Sequence, residues 1–540
     1  MNPPQPHPSP SLLTDPLSMD PVPTLLARVR AELAVDFRPD RPIRISRAPG
    51  RLDVMGGIAD YTGSLVCEAT LNLAAAVALQ GRDDRFVQVF SFNLFDDHRP
   101  FTFRIPLDAL AEHSADTLRK EFNQSGRRWA GYLAGCLFML HEQGFVDLKD
   151  PTLKGVNIAL YSTVALGAGI SSSAAIEVAT MMNLADHYGV ARGHGRGNRG
   201  DARTASDQEF PIDKSAATDD GLRTTRSVNV PDISATGRTL SPLSLASMCQ
   251  QVENRIVGAP CGIMDQVSSC FGEAGSLLRM VCQPHEIQPA LHLPAGVRVM
   301  GINSNVNHSV GGGMYGRTRC AAFMGHKMIL ENMRTLGARS GHQLTSDPMG
   351  GYLANLSPDD YKNLFRPHLP EHISGADFLR AFGATVDTAT QPEPDQHYHV
   401  RSATDHHVLE AMRVRNFVGH LEDAARSEGR ERKLSLDKAG HLMYASHLSY
   451  TNDAKLGADE CDLLVKLVRD REHAGLYGAK ITGGGSGGTV AILVDVSPTV
   501  DSAIVQIMTE YEKQTGKHPE AFTGTSPGAW HWGTEVVDPV

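Results

Sequence analysis

Apolar and polar positions alternate from Val156 to Val164, with Val156, Ile158 and Leu160 on one face. The period then lengthens to that of a helix, as Ala175, Val178, Ala179, Met182 and Ala185 recur every three or four residues. Between the two periods stands Leu166-Gly-Ala-Gly-Ile-Ser-Ser-Ser-Ala-Ala175. The pattern predicts a strand, a glycine turn, and a helix capped by serine that stops at Gly189. Ile43 and Ile45 likewise predict a strand, entering a polar turn with Arg51, Asp60 and Tyr61 among glycines 50, 56, 57 and 63. Further strands are expected over 71–79, 85–92 and 297–302, with two short ones flanking the glycines after Lys480. Helical spacing marks 25–35, 129–143, 243–257, 405–425, 439–445 and 458–470. Consecutive strands ahead of helices point to an α+β arrangement rather than a doubly wound one.

Three stretches lack either period. Residues 1–23 are proline-rich and predict a disordered leader; 193–242 is Gly-, Arg-, Asp-, Ser- and Thr-rich and predicts a disordered insertion. The third, 333–401, reads as an elaboration of a second lobe. The expected organisation is an N-terminal lobe over 24–290 and a C-terminal lobe over 291–540.

Composition narrows the chemistry. The 540 residues, 41% hydrophobic and 21% charged, are ordinary for a globular chain of two or more domains. A formal net charge of -10 offers no electrostatic footprint for nucleic acid. No apolar run approaches the ~20 residues of a membrane span, and the start lacks the apolar core of a signal peptide. Eight scattered cysteines without paired short spacings suggest reduced thiols. The expectation is a cytoplasmic protein, a monomer or weak homo-oligomer, acting on small molecules. No His-Glu-x-x-His pattern occurs, and the chain lacks a strand-to-helix Gly-x-Ser-x-Gly elbow and a Rossmann fingerprint in a βαβ context.

Four places carry candidate chemistry. Gly167 and Gly169 let backbone approach a ligand, and a helix start attracts anions, phosphate above all; the same pattern also serves as a plain capped turn. It is not a Walker loop, because no Gly-Lys-Ser/Thr follows. Asp265, in Gly258-Ala-Pro-Cys-Gly-Ile-Met-Asp-Gln266, is an acid among apolar residues that needs a partner or a purpose, or else caps the next helix. Glycines 483, 484, 485, 487 and 488 suit either a phosphate- or sugar-approaching loop or a tight hairpin. Tyr315 follows another glycine turn.

Taken in order, Ala48 to Gly63, Leu166 to Ala175 and Lys480 to Gly488 resemble the three motifs of the GHMP small-molecule kinases. Cys261-Gly-Ile-Met-Asp-Gln266 and Asn303-Ser-Asn-Val-Asn-His-Ser309 resemble signatures of the galactokinase branch. Within it, Arg47 to Tyr61, Tyr477 to Thr489, Asn355-Leu-Ser-Pro358 and Ser526-Pro-Gly-Ala529 are similar to plant-type L-arabinokinases. The resemblance spans most of Arg41 to Trp530 outside the insertion. It implies a two-lobed α+β fold, the N-terminal lobe like ribosomal protein S5 domain 2, with the active cleft between lobes. It implies transfer of the ATP γ-phosphoryl group to an anomeric sugar hydroxyl, with Mg²⁺. By position, Asp265 matches the family's proposed base and Arg51 the arginine beside it. Gly167, Ala168, Gly169, Ser171, Ser172 and Ser173 match the phosphate loop, and Gly483, Gly484, Gly485 and Gly487 the glycine loop. Ser173 and Glu253 match metal ligands; Asp60, Gly57, Ile58, Gly262 and Tyr315 match sugar-binding positions. Galactokinases carry Glu-His where this chain has Gly57-Ile58, a pair thought to bind the C6 hydroxyl, which L-arabinopyranose lacks. The resemblance therefore implies L-arabinose as substrate and L-arabinose 1-phosphate as product. D-galactose or a uronic acid is the alternative, and a non-catalytic sugar sensor the remaining one.

Overall fold

The computed structural model describes residues 20–124, 126–192, 224–226, 239–283, 285–307 and 313–539. Its strands in chain order are β1 (Ile43–Met55), β2 (Leu65–Gly81), β3 (Phe86–Ser91), β4 (Thr102–Pro106), β5 (Val156–Ser162), β6 (Thr224–Arg226), β7 (Ser276–Val281) and β8 (Glu286–His292). They continue as β9 (Val297–Asn303), β10 (Ile373–Ser374), β11 (His397–Tyr398), β12 (Leu476–Ile481), β13 (Thr489–Asp495), β14 (Glu520–Phe522) and β15 (Thr534–Val537). The larger sheet runs β4-β3-β5-β2-β1-β15-β6, with β7 on the far half of β2 and β8 beyond it; the smaller runs β12-β13-β9-β14. All pairings are antiparallel except β3 with β5. Helices share the chain with both sheets, so the expected α+β class holds.

β1 and β2 are longer than the alternation suggested, because both faces are covered: apolar residues fill β2 almost without interruption, while β1 buries Arg47, Arg51 and Asp53 as well. β1 slips register between Pro49 and Arg51 and again between Asp53 and Met55. Arg51, expected in a turn, therefore sits on a bulged strand, which re-aims its side chain. Helix Ser172–His187 is buried on nearly every side beneath this sheet. Such all-round burial explains its alanines and its weak amphipathic stripe.

Several boundaries differ from expectation. Residues 1–19 of the predicted leader, and most of the predicted insertion, lie outside the described residues. Asp20 caps helix Pro21–Glu32 by accepting from the Val22 N–H at 3.2 Å, so Pro21 to Pro23 belong to a helix and not to a leader. Prolines are tolerated there because first-turn N–H groups have no intrahelical partner. Within the insertion, Thr224–Arg226 forms the edge strand β6 against β15. β15 itself pairs with β1, returning the end of the chain to the larger sheet, across the expected division at 290/291.

The 333–401 stretch builds a small core of Met349, Leu353, Tyr361, Phe365, Leu369 and Phe378 against helices Met314–Arg339 and Val400–Arg426. Among the described residues no helix is long and apolar enough to cross a membrane. All eight cysteines are free thiols.

Candidate active site

A cleft of about 820 Å³ opens where β1, the glycine turn, the segment 253–265 and the β12–β13 loop meet. Arg51 lies at its floor, only 3% exposed. Its Nε and Nη2 both donate to Asp265 Oδ1, at 2.9 and 2.7 Å, and Nη1 donates to the Gly169 carbonyl at 2.8 Å. Burial alone would lower the pKa of this guanidinium; Asp265, Glu68 and Asp53 outweigh it and hold the charge. Asp265 stands in the first turn of helix Met264–Phe271, whose cap position is Ile263 with no side-chain bond. The capping role therefore does not apply to it. Both bonds from Arg51 fall on Oδ1, so among the described residues Oδ2 is left free toward the cleft.

The glycine turn behaves differently from a plain cap. Gly167 and Gly169 both adopt φ of 72°, and Ser171 occupies the cap position at φ 60°. A left-handed serine cannot cap its own helix in the usual way, and its hydroxyl makes no cap bond and is buried without a partner. The helix start and an orphan hydroxyl thus face the cleft together, as an anion site requires. Gly167, Gly169, Ser171, Ser172 and Ser173 line the cleft. Ala168 does not; its carbonyl packs where a Cβ on Gly488 would come within 2.6 Å.

Glu253 lies in a π-helical turn, Val252–Val257, that continues helix Pro242–Gln251. The expected α-helix widens here and turns Glu253 into the cleft wall. The Gln266 amide donates to Glu253 at 3.0 Å and to Glu177 at 3.2 Å. Burial, then the neighbouring acid, raises both carboxyls: Glu253 to about 7 through Asp265, and Glu177 well above the usual range through Glu253. Glu177 Oε1 has no partner. Ser173 lies beside Glu253 in the cleft lining and pulls its carboxyl down against these effects. Two under-satisfied carboxylates and a hydroxyl beside an anion site fit a hard divalent cation. Among the described residues no three His, Cys, Asp or Glu side chains form a cage, so phosphate oxygens and water would complete such a shell.

The opposite wall carries Ile58, Asp60, Gly262 and Tyr315. Asp60 Oδ1 accepts from the Tyr61 N–H at 2.6 Å; burial and Asp265 push its carboxyl up to about 7 against the pull of Arg319. Gly262 admits no side chain, since a Cβ there would lie 1.4 Å from Asp60 Oδ2. Gly57 departs from expectation. It does not line the cleft, and at φ +44° its Cβ would point at the Tyr450 hydroxyl, 1.7 Å away. Ile58 alone of the pair faces the cavity. Gly483 and Gly484 reach the cleft, whereas Gly485 and Gly487 pack against the Leu456 and Val306 carbonyls as hairpin residues.

Sequence reasoning missed the pair beneath these loops. Asp53 and Lys480, both fully buried, meet at 2.5 Å, and Asp53 also accepts from the Gly57 and Gly483 N–H groups at 3.0 and 3.2 Å. Tyr450 accepts from the Ile58 N–H at 3.0 Å and donates to the Gly483 carbonyl at 2.8 Å. Asp53 shares its strand with Arg44, Arg47 and Arg51 and gave no signal; Lys480, the lone charge in apolar β12, did. Glu68, 3.4 Å from Arg51 and without hydrogen bonds, carried the same signal. Trp129, Tyr132, Tyr161 and Asn93, beyond the glycine turn, carried none.

The models of the GHMP kinases N terminal domain and GHMP kinases C terminal match residues 132–195 and 432–513. An L-arabinokinase of Arabidopsis thaliana is 33% identical over 92% of this chain, which spans 47% of that protein, about half its length. A galactokinase of Chloroflexus aggregans is 27% identical over 88% of this chain and 90% of its own. The structure of Lactococcus lactis galactokinase complexed with galactose superposes with a TM-score of 0.62 at 19% identity, covering 93% of this chain and 98% of the other, which establishes a shared fold. The chain thus matches both GHMP kinase domain models in order, on a fold shared with that galactokinase.

Proposed function

We propose that the chain is an ATP-dependent sugar-1-kinase that phosphorylates the anomeric hydroxyl of L-arabinose. The observation that carries this reading is the Arg51–Asp265 pair, set between an anion-binding helix start and a wall bearing Asp60, Ile58 and Tyr315 in one cleft. The kinship with an L-arabinokinase and with galactokinases supports the same chemistry.

Phosphoryl transfer needs alignment and charge neutralisation more than covalent chemistry. The helix start and Ser171 receive the terminal phosphates. Asp265 Oδ2 orients the C1 hydroxyl and takes its proton as the oxygen bonds to the γ-phosphorus, while the bond to the ADP oxygen breaks and its electron pair leaves with ADP. Arg51 holds Asp265 in place through Oδ1 and, from the same position, offsets charge on the moving phosphoryl group. Ser173 and Glu253 would hold Mg²⁺, which when bound neutralises the phosphate charge.

Selectivity rests on Ile58. An apolar side chain on the sugar wall leaves a C6 hydroxyl without a partner, which disfavours galactose by ~1–3 kcal/mol. D-galactose remains the second reading, favoured by the near full-length match to a galactokinase. Steady-state kinetics with ATP on a panel of aldoses decides between them. L-Arabinose should have the highest kcat/KM; a preference for galactose would overturn the arabinose assignment, and no phosphorylation of any aldose would overturn the kinase reading.

A further inference from the structure

Arg319 lies one helical turn after Tyr315 on helix Met314–Arg339, buried but outside the cleft lining. Its Nε and Nη2 donate to the two carboxylate oxygens of Asp387 at 2.9 and 2.8 Å, and Nη1 donates to the Cys261 carbonyl at 3.3 Å. The guanidinium also stacks over the Tyr61 ring, 4.8 Å from its centroid. Cys261 and Tyr61 are the chain neighbours of Gly262 and Asp60, which touch each other across the sugar wall. One buried cation therefore braces both sides of that contact.

Asp387 reaches Arg319 from the loop after helix Gly375–Phe382, inside the 333–401 elaboration. The loop is shaped around it: Oδ2 accepts from the Thr390 hydroxyl at 2.6 Å and the Thr390 N–H at 2.9 Å, and Oδ1 from the Ala389 N–H at 3.3 Å. Burial pushes the Asp387 carboxyl up, but Arg319 and these donors bring it below its ordinary value, so the pair is ionic. Arg319 also acts on a second acid, Asp60, favouring its charged form. Arg319 is thus bonded to one carboxylate and stacked on the residue next to another, and a direct ion pair outcompetes a sugar hydroxyl for a carboxylate.

We propose that Asp387 and its loop form a latch that holds Arg319 away from Asp60, keeping that carboxylate free for a sugar hydroxyl. Asp387 is the positioning residue, acting on the sugar through the charge it holds off, an inference that rests on the sugar-kinase reading. The elaboration then has a role in substrate binding, delivered through a single ion pair. Freed of Asp387, Arg319 turns to Asp60, occupies the acceptor, and lets go of the Cys261 carbonyl that leads to Asp265.

Asp387→Asn keeps the volume and the loop and removes the charge. The KM for sugar should rise about tenfold or more while the KM for ATP stays within about twofold. In the double variant Asp387→Asn with Arg319→Met the misplaced cation is gone, and most of the sugar KM should return, a rescue that loss of packing alone would not give. An unchanged sugar KM in Asp387→Asn, or a double variant no better than the single, overturns the latch. Should Asp387→Asn yield no soluble protein, Asp387→Ser with and without Arg319→Met makes the same comparison: a sugar KM that rises about tenfold or more in the single variant and recovers in the double agrees with a held-off charge, and no rise or no recovery overturns it. If wild type phosphorylates no aldose, the kinase reading fails separately. Calorimetric sugar binding to the same variants then tests the latch, through loss in the single variant and recovery in the double.

Discussion

Lys480→Met severs the only buried ion pair that ties β1 to β12 among the described residues. Both partners are fully buried and meet at 2.5 Å. At an effective dielectric of about 20 their attraction is roughly 7 kcal/mol, most of it offset by the desolvation of both charges. Removing Lys480 leaves Asp53 with only the Gly57 and Gly483 N–H groups, an uncompensated buried carboxylate that costs ~3–5 kcal/mol. Asp53→Asn strands the ammonium and should cost a similar amount. In the double variant neither charge remains, so the two losses should fall short of additive by ~2 kcal/mol or more. Urea unfolding of the four proteins measures this, with kcat/KM followed alongside. Activity should fall with Lys480→Met, because the two N–H groups that Asp53 holds precede Ile58 and Gly484 in the cleft wall. Single losses below about 1 kcal/mol, or strict additivity, would refute the account, since a buried pair at this separation must couple.

Asp265→Asn should lower kcat at least a hundredfold and leave sugar binding within a few-fold, read by turnover and calorimetry; less than tenfold in kcat would remove Asp265 from the proton-accepting role. Gly57→Ala should impair folding rather than sugar choice, because its Cβ meets the Tyr450 hydroxyl at 1.7 Å and its φ is +44°. A soluble Gly57→Ala protein with altered sugar preference and unchanged thermal stability would contradict that placement. Ile58→His should instead narrow the gap between L-arabinose and D-galactose in kcat/KM, and an unmoved ratio would exclude Ile58 as the selective contact. Asp60, raised to about 7, binds its proton in the folded state after the unfolded chain has lost it, so its contribution to stability falls as pH rises from about 4 to about 7 and is level above. Asp60→Asn should therefore gain stability over wild type across that window, by at most about 4 kcal/mol, and a difference that does not vary with pH would refute the shift.

What the sequence determined by itself is local. The strand, glycine turn and helix around Gly167 follow from a change of period, and the elements at 129–143 and 458–470 were legible to within a residue or two at each end. Arg51 and Asp265 drew notice as charges among glycine and apolar residues, whereas Ser173 and Glu253 were singled out only by the family resemblance. Tertiary structure decided the rest, because it depends on which distant segments meet. Only the assembled sheet shows that β15 closes against β1, that Arg51 stands on a bulge, and that Ser171 adopts a left-handed conformation in place of a cap. Gly57 and Ile58 are adjacent and look equivalent as letters, yet only Ile58 lines the cavity, because Tyr450, 392 positions from Ile58, occupies the space beside Gly57. Asp53 with Lys480, and Arg319 with Asp387, are likewise pairs between remote segments. No periodicity encodes them: a buried charge must find a partner, and the fold alone settles which one lies within reach.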